Sequence, residues 1–273
     1  MLFVCGKGRV FWMGAALVLS CGVMVGADNG PAVQPLPRAD ANSRLAHEQL
    51  VRKARQGGID VFFVGDSITR RWGAADPQYR PLLDHWTTNF FGWNAANFGW
   101  GADRIENILW RLQNGELDGV NPKVIVLLAG INNVGTDPGD SKKVEDIARG
   151  LEAIVGVCRT KAPNATVILT AIFPRNDSME VMPTIQRINR NLERLADGKK
   201  IRYLNINDQL ADGAGRFFPG MVNPDQLHPA LKAYQVWADA LKPIFTELLG
   251  PPATTDHAPP PTGDPKTMEK VPR

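Results

Sequence analysis

Short apolar runs alternate with stretches of helical spacing through the middle of the chain. The apolar runs predict buried strands at Val61–Val64, Asn94–Phe98, Val124–Leu128, Val167–Ala171 and Arg202–Leu204. Between and after them, apolar residues recur every three or four positions, which predicts helices at Ile105–Asn114, Lys142–Lys161, Thr184–Asp197 and Pro229–Leu249. Pro243 lies inside the last helix and is expected to kink or restart it.

This alternation of strands and helices predicts an α/β fold. Parallel strands need crossover helices, and those helices cover both faces of the sheet. The expected architecture is a three-layer α/β/α sandwich with a central five-stranded parallel sheet. Such sheets place their functional sites at the carboxyl ends of the strands, so the residues that follow each apolar run are the ones to inspect.

The start of the chain differs in composition from the middle. Lys7 and Arg9 precede an apolar run and a small-residue stretch, so residues 1–27 are predicted to be a signal peptide for export to the periplasm or the extracellular space. An uncleaved membrane anchor is disfavoured, because the run is short for a span of about 20 residues. Lipid attachment at Cys21 is a less favoured alternative to cleavage.

Pro-rich segments flank the predicted domain. Residues 28–41 are interpreted as a polar linker and residues 250–273 as a tail, and both are expected to be disordered because they carry few apolar residues. Residues 42–249 remain as one domain. That size suits a chain of 273 residues that is 44% hydrophobic and 22% charged.

Charge and cysteine usage narrow the classes of function. The formal net charge is +3, and Lys7 and Arg9 supply two of those charges, so no nucleic-acid partner is implied. Cysteines stand at positions 5, 21 and 158, and only Cys158 would remain after cleavage, which predicts no internal disulfide. No spacing of Cys and His resembles a metal-ligand set, and no cofactor is indicated.

The stretch "VFFVGDSITRRW" places Ser67 where a buried strand turns into a helix. This is a position at which α/β proteins expose reactive side chains, because the helix N-terminus supplies backbone N–H groups beside them. The same residues also suit an ordinary turn and helix cap. The local sequence leaves both interpretations open.

A serine nucleophile needs a base, and histidine is the usual one. His47 and His257 lie outside the predicted core of the site, and His85 is interpreted as structural on an irregular stretch, which leaves His228. Asp225 stands three residues earlier, so its carboxylate can reach Nδ1 of the imidazole. The alternative is an Asp that caps the last helix and a His that binds loop carbonyls.

Two further strand ends offer donors for a developing oxyanion. In "NFGWGAD", two glycines let the backbone approach a substrate closely and leave the N–H of Ala102 free to donate. In "AGINN", Asn132 offers a side-chain amide that does not titrate. A glycine-rich turn and a helix cap are the alternatives.

Four blocks in this order resemble the SGNH/GDSL hydrolase family over about residues 61–249. They are Gly65-Asp66-Ser67, Asn97 through Asp103, Gly130-Ile131-Asn132 and Asp225 through His228. The stretch "NFGWGADRIENILWRLQNGELDG" is most similar to the catalytic subunits of platelet-activating-factor acetylhydrolases within that family. The resemblance implies the flavodoxin-like three-layer fold of those hydrolases and a serine esterase activity.

The resemblance also implies a role for each matching residue. Ser67 would be the nucleophile, His228 the general base and acid, and Asp225 the carboxylate that orients it. The oxyanion hole would comprise the N–H groups of Ser67 and Ala102 and the side chain of Asn132. The family has Gly where this chain has Ala102, and activity is expected to survive only if the backbone angle there permits a Cβ.

Residues next to these blocks bear on substrate size. In the acetylhydrolases, the positions that match Ile68, Ile131 and Leu227 are associated with the acyl pocket, and branched apolar residues at all three indicate a small pocket for acetyl. Trp100 is a hypothetical platform for a sugar ring, with packing as the alternative.

The resulting hypothesis is an exported serine esterase that hydrolyses short-chain acetyl esters of carbohydrates. The alternatives are a phospholipid or lysophospholipid acylhydrolase and a non-catalytic carbohydrate-binding module on the same fold. A nucleotide-binding flavodoxin-like protein is disfavoured, because "GDSITR" lacks a phosphate-binding glycine pattern. The expected partner is a small-molecule or carbohydrate ester, with no stable membrane span after cleavage, and the oligomeric state stays open.

Overall fold

Five parallel strands form the centre of the structure, a computed structural model that describes residues 30–268. They are β1 (Val61–Gly65), β2 (Ala95–Gly99), β3 (Val124–Leu128), β4 (Thr166–Thr170) and β5 (Ile201–Leu204). Their order in the sheet is β2-β1-β3-β4-β5, and every neighbouring pair is parallel. The predicted parallel sheet is confirmed, and each predicted strand boundary lies within one residue of the observed one.

Burial explains why these segments read as continuous apolar runs. Every residue of β1, β2, β3 and β4 is buried, as expected for strands covered on both faces. The edge strand β5 is only half-buried along its length. The side chains of the first four strands therefore pack into two apolar cores, one on either face of the sheet.

Helices form the two outer layers. They are α1 (Ala41–Gln56), α2 (Ser67–Trp72), α3 (Arg80–Phe90), α4 (Ile105–Arg111), α5 (Ile131–Val134), α6 (Ser141–Lys161), α7 (Met182–Glu193), α8 (Asn207–Leu210), α9 (Leu231–Leu249) and α10 (Pro265–Met268). Helix α6 packs between α4 and α7 in one layer, and α3 packs against α9 in the other. Short 3₁₀ turns at Pro31–Val33, Pro77–Tyr79 and Met179–Val181 complete the connections.

The observed helices differ from the predicted ones at several points. Helices α1 and α3 were not predicted, and α3 contains His85 on the stretch expected to be irregular. The predicted helix at Ile105–Asn114 ends its regular part at Arg111 and continues as a π turn to Glu116, because Gly115 has a φ of 114°. Helix α9 runs through Pro243, so this proline does not end it.

An aromatic cluster fills the layer between the sheet and helices α3 and α9. The rings of Phe63 and Trp86 lie 4.6 Å apart, and those of Trp72 and Trp237 lie 5.0 Å apart. Such pairs bury large apolar areas and add about 0.5–1.5 kcal/mol beyond burial. Since Trp72 is the last residue of α2, this cluster anchors the helix that begins at Ser67.

Residues 30–40, which the sequence analysis assigns to a disordered linker, lie against α4. Leu36 donates its backbone N–H to the carbonyl of Glu106 at 2.9 Å and accepts from the side chain of Asn107 at 2.9 Å. Ala32 is 1% exposed. The expectation is corrected for these residues, because their backbone groups find partners on the domain instead of water.

The Pro-rich tail is also ordered through residue 268. Ala253 donates its N–H to the carbonyl of Gly92 at 2.9 Å, and the carboxylate of Asp256 accepts from the N–H of Gly92 at 2.7 Å. Farther along, Ala75 donates to the carbonyl of Thr262 at 3.1 Å. The tail thus contacts the segment that leads into β2 and the loop that follows α2, and the expected disorder is corrected for residues 250–268.

Some of the sequence predictions concern residues outside the described range. The predicted signal peptide, including Cys21, falls there, as do residues 269–273. Within residues 30–268, no helix is both long and apolar enough to cross a bilayer. Cys158 is a free, buried cysteine, and burial raises the pKa of its thiol to about 12.

Candidate active site

The four sequence blocks meet at the carboxyl edge of the sheet, where β1, β2 and β3 are neighbours. Gly65 ends β1, and a Cβ there would lie 2.2 Å from the carbonyl oxygen of Leu128. Gly99 ends β2, and a Cβ there would lie 2.4 Å from the backbone nitrogen of Arg70. These two glycines allow the strand ends to close tightly around the first turn of α2.

Asp66 and Ser67 start α2 directly after β1. The carboxylate of Asp66 caps the helix by accepting from the N–H of Ile68 at 2.9 Å. Ser67 is the first helical residue, and its side chain is half-buried at the helix N-terminus. The helix cap is thus made by Asp66, and the hydroxyl of Ser67 is left to hydrogen-bond with His228.

A continuous chain of hydrogen bonds joins Ser67, His228 and Asp225. Ser67 Oγ lies 2.9 Å from His228 Nε2, and His228 Nδ1 lies 2.8 Å from Asp225 Oδ2. The second carboxylate oxygen accepts the backbone N–H groups of Leu227 at 3.1 Å and His228 at 2.9 Å. In this arrangement a histidine can take the proton of a serine while a carboxylate stabilises the imidazolium.

The loop that carries Asp225 and His228 is a tight turn held from both ends. Asn223 donates its N–H to the carbonyl of His228 at 2.9 Å, and Gln226 adopts a left-handed φ of 57°. The carbonyl of Gln226 accepts the N–H of Asn176 at 2.8 Å, from the segment after β4. The turn therefore holds the carboxylate of Asp225 close enough to His228 for both of its hydrogen bonds to that residue.

The surroundings of Asp225 and His228 set the protonation states of the two side chains. Burial alone would raise the pKa of Asp225, but hydrogen bonds from the backbone of His228 and Leu227 and from the His228 ring outweigh it and lower that pKa to about 2. Burial and the nearby positive charge of Arg71 lower the pKa of His228 below its usual value, against the pull of Asp225. At neutral pH the site thus holds an ionised carboxylate and a neutral imidazole, the state that a general base requires.

Arg71 is a site residue that the sequence analysis missed. Its Nη1 lies 3.3 Å from Asp225 Oδ2, and its guanidinium lies 5.6 Å from the centre of the Tyr79 ring. Arg71 stands four residues after Ser67 on α2, one helical turn away. That spacing was a signal in the sequence, because residues four apart share a helix face.

The two predicted oxyanion donors follow β2 and β3, the strands on either side of β1. Ala102 is exposed in the loop after β2 with a φ of 60°, the left-handed region that favours glycine. Asn132 lies in α5 after β3, and its Nδ2 donates to the carbonyl of Asp103 at 2.8 Å. An amide NH₂ has two hydrogens, so a second one is available to a ligand.

The predicted pocket residues fall into two groups. Ile68 and Ile131 are 2% and 3% exposed and sit next to Ser67 and Asn132 in the chain, while Leu227 is half-buried beside His228. Trp100 is 7% exposed, and its indole N–H donates to Ser43 Oγ at 2.8 Å. Trp100 therefore packs inside the domain, which corrects the hypothesis of an open sugar platform.

A cleft of about 490 Å³ lies next to the site; Ser67, Asp225 and His228 do not line it, but Arg71, which contacts Asp225, does. The His228 loop and the start of α9 form one wall, and α2 and the segment leading into α3 form the other. Its lining combines an aromatic ring, amides and cationic groups, among them Tyr79, Gln78, Asn223, Arg71 and Lys232. Among residues 30–268, no group of three or more His, Cys, Asp or Glu side chains is arranged to hold a metal ion.

The sequence and the fold both match known hydrolases. Residues 63–236 match the model of the GDSL-like lipase/acylhydrolase family. The chain is 31% identical over 194 residues to the human platelet-activating factor acetylhydrolase IB subunit alpha2, a match that covers 70% of this chain and 76% of the relative.

Solved structures show the same architecture. A GDSL-like lipase from Bacteroides thetaiotaomicron superposes with a TM-score of 0.59 at 19% identity, over 77% of this chain and 98% of the other. A variant of an acetyl-xylooligosaccharide esterase from Geobacillus superposes with a TM-score of 0.51 at 17% identity, over 71% of this chain and 95% of the other. The family match extends over most of the described sheet and both halves of the serine–histidine pair, and the chain therefore belongs to the GDSL-like lipase/acylhydrolase family of ester hydrolases.

Proposed function

We propose that this protein is a serine esterase that removes acetyl groups from carbohydrate esters through an acyl-enzyme. The observation that carries this proposal is the hydrogen-bonded chain from Ser67 through His228 to Asp225, with distances of 2.9 and 2.8 Å. A non-catalytic binding module would not need that geometry. Nor would it need a histidine whose pKa is lowered, so that its imidazole is neutral and can accept a proton.

The reaction begins with attack of Ser67 Oγ on the ester carbonyl carbon. His228 Nε2 takes the hydroxyl proton, and Asp225 stabilises the imidazolium that results. The carbonyl oxygen becomes an oxyanion, which the N–H groups of Ser67 and Ala102 and the side chain of Asn132 stabilise.

Three further proton transfers complete the cycle. The tetrahedral intermediate collapses, and His228 gives its proton to the departing alcohol, which leaves acetyl on Ser67. A water molecule then attacks the acyl carbon while His228 takes one of its protons. Collapse of this second intermediate releases acetate and returns the proton to Ser67 Oγ.

Acyl size is proposed to be limited by Ile68, Ile131 and Leu227. The first two are almost fully buried, so they leave little freedom for a longer chain next to Ser67 and Asn132. Discrimination by an apolar pocket amounts to about 1–3 kcal/mol per methylene, so acetyl would be preferred and propionyl tolerated.

The alcohol is proposed to be a carbohydrate. The cleft beside Asp225 supports this, because aromatic rings and amides such as Tyr79 and Asn223 suit the apolar faces and hydroxyl groups of a sugar. A fold neighbour is named as an acetyl-xylooligosaccharide esterase. Export through a signal peptide at residues 1–27, with lipid anchoring at Cys21 as the alternative, would bring the enzyme to acetylated polysaccharide outside the cell.

A phospholipid acylhydrolase is the second candidate. It is favoured by the 31% identity to an acetylhydrolase named for platelet-activating factor. Both candidates share the acetyl group and differ in the alcohol. Substrate comparison therefore separates them.

The test uses the chain from Asp28 onward, with Ser67→Ala as the control for background hydrolysis. The first assay compares p-nitrophenyl acetate, butyrate and octanoate, and the second compares acetylated xylo-oligosaccharides with a 2-acetyl phospholipid. Preferred turnover of the acetate and the oligosaccharides, absent in Ser67→Ala, is the expected result. A preference for the octanoate or the phospholipid would favour a phospholipid acylhydrolase instead. Equal rates in Ser67→Ala and the unsubstituted protein would contradict the proposed serine esterase.

A further inference from the structure

The loop Gly101–Asp103 holds Ala102 in an unfavourable conformation. A residue with a Cβ is disfavoured in the left-handed region, because the Cβ comes too close to the backbone carbonyl oxygen. Such a conformation persists only where neighbouring contacts determine it. The contacts on either side of Ala102 therefore decide where its N–H points.

Asp103 anchors one side of this loop. Its carboxylate is fully buried, and one oxygen accepts from Arg111 Nε at 2.7 Å. Arg111 also donates to the carbonyl of Phe98 at 3.1 Å, so it ties the loop to the end of β2. The backbone carbonyl of Asp103 accepts from Asn132, which connects the two predicted oxyanion donors through a single residue.

Arg38 contacts both sides of Ala102. Its Nη1 donates to the carbonyl oxygen of Gly101 at 3.0 Å and to Asp103 Oδ1 at 3.2 Å. Its Nη2 pairs with Asp40, the residue that caps α1, at 3.2 Å. One guanidinium thus bridges the start of α1 and the loop after β2.

The carbonyl of Gly101 and the N–H of Ala102 belong to the same peptide group. Because that group is planar and trans, its C=O and N–H point in opposite directions. A hydrogen bond from Arg38 to the oxygen therefore fixes the direction of the N–H on the other side. A cation on the carbonyl also polarises the peptide and makes its N–H a better donor.

We propose that Arg38 is a positioning residue that aims and polarises the Ala102 N–H of the oxyanion hole. This assignment rests on the proposed serine esterase function. It makes residues 30–40 part of the catalytic unit, since the contacts of Leu36 with Glu106 and Asn107 hold the segment from which Arg38 extends.

The test measures kcat and KM of Arg38→Ala with p-nitrophenyl acetate. Loss of a well-aimed donor acts on the transition state, so kcat is expected to fall about tenfold or more while KM changes little. Guanidinium chloride at millimolar concentration should restore part of the lost kcat. The kcat of Arg38→Lys should lie between those of Arg38→Ala and the unsubstituted protein. Arg52→Ala is the matched control, because the Arg52 side chain is 61% exposed and pairs at 3.8 Å with Glu48 of the same helix, not with the loop after β2.

Each outcome bears on the assignment. An Arg38→Ala kcat equal to that of the unsubstituted protein would overturn it. So would a loss that neither guanidinium nor Arg38→Lys relieves, or one matched by an equal loss of folded protein in circular dichroism. If the unsubstituted protein shows no turnover that depends on Ser67, the proposed function fails, and the assignment fails with it.

Discussion

Arg71 Nη1 lies 3.3 Å from Asp225 Oδ2, the same oxygen that lies 2.8 Å from His228 Nδ1. The carboxylate is therefore shared between a guanidinium and an imidazole. Asp225 favours the protonated form of His228, whereas Arg71 and burial favour the neutral form, and the neutral form prevails. The balance between these charges sets the pH range in which His228 can act as a base.

Arg71→Met is expected to move the acid limb of the pH profile of kcat/KM to higher pH. Burial and Arg71 lower the pKa of His228 below 6.5, so the unsubstituted protein should lose activity only at pH values below 6.5. Removing the positive charge stabilises the imidazolium and raises that pKa. Arg80→Met, on a 73% exposed side chain paired with Asp84, should leave the limb in place. An unshifted limb in Arg71→Met would contradict the role of Arg71.

Ala102→Gly is expected to stabilise the protein. Glycine reaches the φ of 60° without the steric cost that a Cβ imposes, although it gains entropy in the unfolded chain. The net increase in the free energy of unfolding should be about 0.5–1 kcal/mol, measured by urea denaturation. Ala148→Gly, inside α6, should change the same quantity by a similar amount in the opposite direction. A lower free energy of unfolding in Ala102→Gly would contradict this, and would show that the Ala102 methyl group makes stabilising contacts.

Ile131→Ala is expected to shift acyl preference toward longer chains. Ile131 is 3% exposed beside Asn132, so its truncation opens space close to the reacting carbonyl. The ratio of kcat/KM for p-nitrophenyl butyrate to that for the acetate should rise about tenfold. Val134→Ala, which truncates another buried residue of α5, should lower stability without changing the ratio. Equal shifts in both variants would indicate general loosening of the helix instead of a pocket.

Ending the chain after Leu249 is expected to lower the melting temperature and promote association. The tail supplies hydrogen bonds to Gly92 and Ala75, and its residues 258–261 face Ala95 and Asn97 of the edge strand β2 across a small cavity, so its removal would expose this edge. Size-exclusion chromatography and thermal unfolding of the shortened and full chains would measure both effects. The substitution Asp256→Asn, which removes the carboxylate at Gly92 and Asn94, should lower the melting temperature by a smaller amount. Identical behaviour of all three proteins would show that the tail contributes no stability.

The strands and the position of Ser67 at the end of β1 could be predicted because their signals are local. A strand buried on both faces must be apolar along its whole length, so its bounds are visible in the sequence. Residues that follow such strands collect at one sheet edge whatever the connections are. That is why Ser67 and Asn132 could be placed at the same sheet edge before any packing was known. The Asp225–His228 pair follows no strand directly, and its placement near Ser67 came from its spacing and from the family resemblance.

The remaining features depend on partners distant in the chain. The buried position of Trp100 follows from its bond to Ser43, in a helix that was not predicted. Composition showed that residues 30–40 and 250–268 are too poor in apolar residues to fold alone. It carried no information on whether their backbone groups would find partners elsewhere, as Leu36 does on Glu106 and Ala253 does on Gly92.

The two ends of the described chain meet at Asn42 and Asp264, whose side chains are joined at 2.9 Å. Asp264 also donates its N–H to Asp76, which in turn pairs with Arg70 on the helix that begins at Ser67. The segment around Asp264 thus completes the surroundings of Ser67, although the two are far apart in the chain. During synthesis, Asp76 would lack this partner until residue 264 has left the ribosome, so the helix that begins at Ser67 would gain its full set of contacts only then.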